Sequence, residues 1–101
     1  MKKIISGKMY NTETAEVIDS WDNGLGYNDF NNIDETLYKK KTGEFFIEGN
    51  GGAATKYSVH SGNTSSGSSN IIPLTEDEVK EWLEEHSTAE KYEKLFGIVS
   101  E

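Results

Sequence analysis

Carboxylates dominate the residues that could do chemistry in this chain. Thr75 to His86 read TEDEVKEWLEEH. At helical spacing, Asp77, Glu81 and Glu85 fall on one i, i+4 line with no base in it. Glu76, Lys80 and Glu84 form a neighbouring line that can pair internally. Each like-charge step on the first line costs about 0.3 kcal/mol. The helix N-terminus offsets Asp77, whereas Glu85 meets the negative end of the helix dipole. Such a face is either ordinary solvated surface or a recognition surface whose carboxylates take the place of phosphates. Asp77, Glu81, Glu84 and Glu85 are therefore the candidate partner-binding residues.

Other chemistries find less support. The chain has no cysteine, which removes thiolate nucleophiles, disulfides and zinc-thiolate sites together. His60 and His86 are its two histidines, and neither sits in a carboxylate pattern at metal-ligand spacing. A triad can be written from Ser58, His60 and one of many acids, as it can for most sequences. Gly49 to Ala54 fit the outline of a phosphate-binding G-x-G-x-x-A turn, but no helix of useful length follows, so a plain glycine turn is expected. Lys39, Lys40 and Lys41 form the one basic run, read as a solvated hairpin tip that discourages edge pairing. Asn63-Thr64-Ser65 is a sequon without a secretion signal ahead of it. No catalytic residue, metal site or cofactor site is expected.

Composition sets the frame for these residues. One small domain, 1–101, is expected, with a modest core. Apolar residues make up only 34% of the chain but aromatics reach 11%, so Tyr, Phe and Trp must carry much of that core. Eighteen acids against ten lysines give a net charge of -8. From Thr75 onward nine acids face three lysines, so six of the eight excess charges lie there. There is no arginine, the usual fork for guanine edges and phosphates, which counts against direct nucleic-acid readout. No apolar run reaches bilayer length and the N-terminus lacks a signal-peptide core, so a soluble, cytoplasmic protein without membrane contact is expected.

The elements that position the carboxylates follow from periodicity and turn chemistry. KKIISGKMY reads as a short strand or hairpin around Ser6-Gly7, and EVIDSW as the next strand. Asn11, Thr12 and Thr14 between them can bond their own backbone and favour a turn. DNGLGYNDFNN is loop. In ETLYKKKTGEFFIEG two hairpin registers compete. A two-residue Thr42-Gly43 loop sets Leu37 opposite Glu48. A three-residue loop with Gly43 in a left-handed bulge pairs Leu37 with Ile47 and Tyr38 with Phe46, and the apolar pattern selects it. Residues 49–70, rich in Gly, Ser and Asn, are expected to form a long surface loop with at most one short strand at Tyr57 to Val59. IIPL is a last apolar strand. Thr75 and Glu78 form a capping box ahead of the stripe Val79, Trp82 and Leu83. Ser87 and Glu90 repeat the box for a second helix, with Tyr92, Leu95 and Phe96 apolar and Gly97 as its stop. His86 is expected to pack on the Trp82 side and cap its helix. The expected architecture is α+β, a small antiparallel sheet with two short C-terminal helices packed on it.

Read in order, KMYNTETA, SWDNG, ETLYKKKTGEFFIEGNGG and IIPLTEDEVKEWLEEH resemble a group of small proteins carried by plasmids, phages and integrative elements of Gram-positive bacteria. The likeness spans Lys2 to Gly97, although Ser58 to Ser69 lack the cysteine or tryptophan that relatives often have there. Members or relatives of that group look like inhibitors of type II-A CRISPR nucleases. The resemblance implies an anti-CRISPR binder acting stoichiometrically on the effector nuclease or its guide-RNA complex. Two other classes stay open: a metal-dependent enzyme that cleaves nucleic acid, and a general partner-binding or regulatory module of a mobile element.

Overall fold

Phe46 and Ile47 are neighbours in sequence, and both are buried. Adjacent residues of a strand point to opposite faces, so their strand must be covered on both sides. The computed structural model, which describes residues 1–26 and 29–97, shows how. Ten elements follow one another: β1 (Lys2–Ile5), β2 (Lys8–Asn11), β3 (Glu16–Asp22), β4 (Ile33–Lys39), β5 (Phe45–Gly51), β6 (Val59–Ser61), β7 (Thr64–Ser66), β8 (Ser68–Leu74), α1 (Glu76–His86) and α2 (Ala89–Phe96). The main sheet is antiparallel with the order β3-β4-β5-β8, and β1-β2 and β6-β7 are separate hairpins. The fold is thus a small α+β protein, antiparallel sheets followed by two C-terminal helices.

The two faces of the sheet carry different cores. On one, Leu37 and Ile47 meet Val79, Trp82 and Leu83 of α1, with Phe45, Tyr92, Leu95 and Phe96 around them. On the other, Phe46 and Ile71 meet Tyr10 from β2, the Tyr10 ring standing edge-on to Phe46 at 5.5 Å. The β1-β2 hairpin therefore closes the face that the helices leave open. Its turn is Ser6-Gly7, both with positive φ, which suits the twist of a two-residue hairpin. The following turn is built as its side chains suggest. Asn11 Oδ1 accepts from the Glu13 N–H at 2.9 Å, and the Thr14 N–H donates to the Asn11 carbonyl at 3.3 Å.

The β4-β5 hairpin takes the bulged register. Leu37 pairs with Ile47 and Tyr38 with Phe46. Gly43 has φ +94°, and its N–H donates to the Lys40 carbonyl at 2.9 Å. The lysine tip departs from expectation. Lys40 folds inward over the Tyr10 ring at 4.1 Å and bridges Glu44 at 3.2 Å, leaving only Lys41 of the three fully exposed. Its long stem finds apolar cover while the ammonium keeps a partner.

Three further expectations need correction. Residues 49–70 are not one long loop. Gly49 to Gly51 belong to β5, Ser68 to Asn70 belong to β8, and 59–66 form a hairpin turned at Gly62, φ +62°. Low apolar content suggested loop, but backbone pairing and Gly62 suffice where the strands remain exposed. The glycines at 49–52 also serve something other than a turn. A Cβ on Gly49 would overlap the Tyr57 phenol, and one on Gly51 the Thr55 hydroxyl, so these positions let the 53–58 segment lie flat on the sheet. Thirdly, Thr88 rather than Ser87 caps α2, accepting from the Lys91 N–H at 3.3 Å. Ser87 closes α1 instead, its N–H donating to the Leu83 carbonyl at 3.0 Å. Asn23 to Gly26 and Asp29 to Asn32 lie between β3 and β4 as loop, Asp22 being the last residue of β3 and not part of that loop, while Tyr27 and Asn28 lie outside the described residues.

Candidate functional site

The sequence presents α1 as a capped helix with one apolar face, and the structure builds it so. Thr75 Oγ1 accepts from the Glu78 N–H at 3.2 Å, and Glu78 Oε1 accepts from the Thr75 N–H at 2.9 Å, completing the box. Burying Val79, Trp82 and Leu83 fixes the rotation of the helix, and that rotation turns the remaining face outward. Asp77, Glu81, Glu84 and Glu85 are all exposed. On the adjoining line, Glu76 bridges Lys80 at 3.5 Å. Among the described residues no lysine bridges Asp77, Glu81, Glu84 or Glu85. The nearest basic group to Glu85 is His86 Nε2 at 3.6 Å. Glu84 also reaches a cleft of about 480 Å³ between the helices, where Glu93 of α2 joins Leu83 and Tyr92 in the lining.

The end of α1 is anchored to β3 rather than left free. The His86 ring stacks on Trp21 with centroids 3.8 Å apart and meets Trp82 edge-on at 5.3 Å. The ring packs as expected, but Ser87 makes the cap. Asp19 gathers the junction: it accepts from the Ser87 hydroxyl, from Lys91 Nζ at 2.8 Å and from the Ser20 N–H at 2.8 Å. Partial burial would raise the Asp19 carboxyl, but these donors outweigh it and hold the pKa below its ordinary value.

Among the described residues, the most buried carboxylate is one the sequence reading did not single out. Glu35 in β4 is only 2% exposed. Trp82 Nε1 donates to its Oε1 at 3.1 Å, the Tyr57 hydroxyl donates to its Oε2, and Lys56 Nζ lies 2.7 Å from Oε2. Burial alone would raise this carboxyl. Lys56, Tyr57 and Trp82 overcome that and leave the pKa lowered. The Tyr57 phenol is pushed up, first by its own burial and then by the adjacent Glu35 charge. Glu35 thereby ties β4, the 53–58 segment and α1 together. One sequence signal marks it: Glu35 stands two residues from Leu37, so it shares the core face of β4 and needs partners there. Trp82, with its indole donor, was the visible candidate.

The chemistry-bearing side chains stand apart from one another. The carboxylates of α1 point outward and Glu35 is engaged on both oxygens. His60 lies exposed in β6, while His86, the last residue of α1, lies against Trp21. Among the described residues, no three His, Asp or Glu side chains gather as a metal-binding group. Comparisons with protein-family models, curated proteins and solved structures found no match to this chain.

Proposed function

We propose that this protein is a stoichiometric inhibitory binder, an anti-CRISPR that engages a type II-A RNA-guided nuclease or its guide-RNA complex through the acidic face of α1. The observation that carries the reading is that face: Asp77, Glu81, Glu84 and Glu85 are exposed together on a helix whose rotation is fixed by a buried stripe. A row of carboxylates on a rigid element complements a lysine- and arginine-rich groove that otherwise holds nucleic acid, and charge complementarity speeds the encounter. The motif order from Lys2 to Gly97, which resembles that of mobile-element proteins, supplies the choice of target class.

The protein acts by occupancy and not by turnover. Inhibition titrated against nuclease concentration is therefore expected to saturate near equivalence, and strong inhibition far below equivalence would defeat the reading. The triple variant D77Q/E81Q/E85Q keeps the helix and removes the charge. It is expected to bind more weakly and with less dependence on salt. Equal inhibition by the variant and the parent at two salt concentrations would return the stripe to plain solvated surface.

A further inference from the structure

The main sheet ends in two edges of unlike character. At β8, Pro73 removes a donor, as prolines on edge strands do. At β3 no proline intervenes, and among the described residues no strand lies outside it. An uncovered edge of backbone donors and acceptors is a template for another strand. The register shows which groups face outward. The Asn23 N–H donates to the Ile33 carbonyl, and the pairing continues through Asp22 with Asp34, Trp21 with Glu35, Ser20 with Thr36 and Asp19 with Leu37. In an antiparallel ladder, hydrogen-bonded and non-hydrogen-bonded pairs alternate. Trp21 and Asp19 therefore bond inward to β4, while the backbone groups of Ser20 and Asp22 face the free edge.

We infer that the free edge of β3, from Asp19 to Asp22, docks an extended lysine- or arginine-rich segment of a partner protein by strand addition. Three observations support docking there, and the first selects the occupant. The first is charge: the strand's ionisable residues are all acidic, and while Asp19 is taken up by Lys91, Glu16 and Asp22 are exposed at either end of the run. Two copies laid edge to edge would set acid against acid, which disfavours self-pairing. The second is an imbalance of acceptors over donors. The outward Ser20 N–H is already held by Asp19 Oδ1 at 2.8 Å, so the edge offers the carbonyls of Ser20 and Asp22 with the single open N–H of Asp22. The backbone N–H groups of an added strand answer those carbonyls. The third is an apolar foothold, Val17, 57% exposed beside the bulge that ends the regular run. The strand is also held in place from behind, by His86 on Trp21 and by Ser87 and Lys91 on Asp19, so the edge is rigid before a partner arrives. The surface uses backbone groups that the α1 face does not, but it shares with that reading the expectation of a basic partner.

The test uses the full chain and two synthetic peptides, one alternating Lys with Thr and one alternating Glu with Thr, followed by amide hydrogen exchange and chemical shifts. The Lys peptide is expected to protect the amide of Asp22, and the Glu peptide to leave it unchanged. D22P removes the one open outward N–H and is expected to weaken the Lys peptide by about tenfold. D22K, which leaves the backbone intact, is expected to weaken it as well and serves as the control if D22P loses its fold. D77Q/E81Q/E85Q is expected to retain protection at Asp22, so loss of α1 recognition and loss of edge docking read out at different residues. Perturbation confined to α1, equal binding of the Glu peptide, or protection of β3 through dimerisation of the chain alone would each overturn the edge proposal.

Discussion

Glu35 and the acids of α1 are the same chemical group in opposite surroundings. Glu35 is enclosed and has a donor for each oxygen; Asp77, Glu81 and Glu84 are exposed, and among the described residues no lysine bridges them. A buried carboxylate is tolerable only because Trp82, Tyr57 and Lys56 meet it, and removing it orphans those groups together. An exposed carboxylate can be lost with little effect on folding, which leaves it free to be chosen for recognition. The difference separates the acids that hold this protein together from those that can meet something else.

The largest expected effect lies at the enclosed end of that comparison. E35A should lower stability by about 4 kcal/mol, because it strands the Trp82 indole and Tyr57 hydroxyl in a dry site and opens a gap. Denaturant unfolding measures this, and a loss below about 1 kcal/mol would mean that water replaces the carboxylate without penalty. Overpacking the same site comes next. G49A places a methyl group where the Tyr57 ring lies and should cost about 3 kcal/mol, with Tyr57 fluorescence and near-UV circular dichroism reporting its displacement.

Acid pH sharpens the contrast further. The folded pKa of Glu35 lies below its ordinary value of 4.5, so its contribution is complete above pH 4.5 and is lost as pH falls through the folded value. The parent is therefore expected to lose stability below pH 4.5 more steeply than E35Q. Parallel curves for the two would place the acid sensitivity elsewhere, for instance at Asp19 or at Glu44. The latter is held near 2 by Lys8 and Lys40. The smallest effect belongs to the exposed face: D77Q/E81Q/E85Q should leave the unfolding midpoint unchanged or raise it slightly, since it relieves like-charge steps. A marked loss would show that these acids support the fold and would erase the distinction drawn above.

How legible each region was in the sequence follows the same division. The β4-β5 register could be read because a slip of one residue would set Leu37 against Glu48. The rotation of α1 could be read because Val79, Trp82 and Leu83 share one face and Thr75-Glu78 announce its start. The exposure of Asp77, Glu81, Glu84 and Glu85 followed directly from that rotation. Residues 49–70 were opaque for the converse reason. Their strands bury little, so no periodicity marks them, and Gly49 and Gly51 signal close approach of Tyr57 and Thr55 in a way that resembles a turn. The Glu35 cluster was hidden because its members are distant in the chain, and only the fold brings them together. Ser87 misled because two residues side by side, Ser87 and Thr88, are both good caps.

The Glu35 cluster also bears on how fast the native chain comes apart. The β3-β4 and β4-β5 hairpins close through neighbouring residues and can form early. Trp82 can reach Glu35 only once α1 lies on the sheet, and Lys56 and Tyr57 only once the segment after β5 folds back over β4. Contacts that need distant segments in place are expected to form after the folding barrier, so E35A should speed unfolding more than it slows refolding, as the two arms of a chevron would read. The buried carboxylate would then be a kinetic clasp, lengthening the time for which the outward face of α1 stays presented.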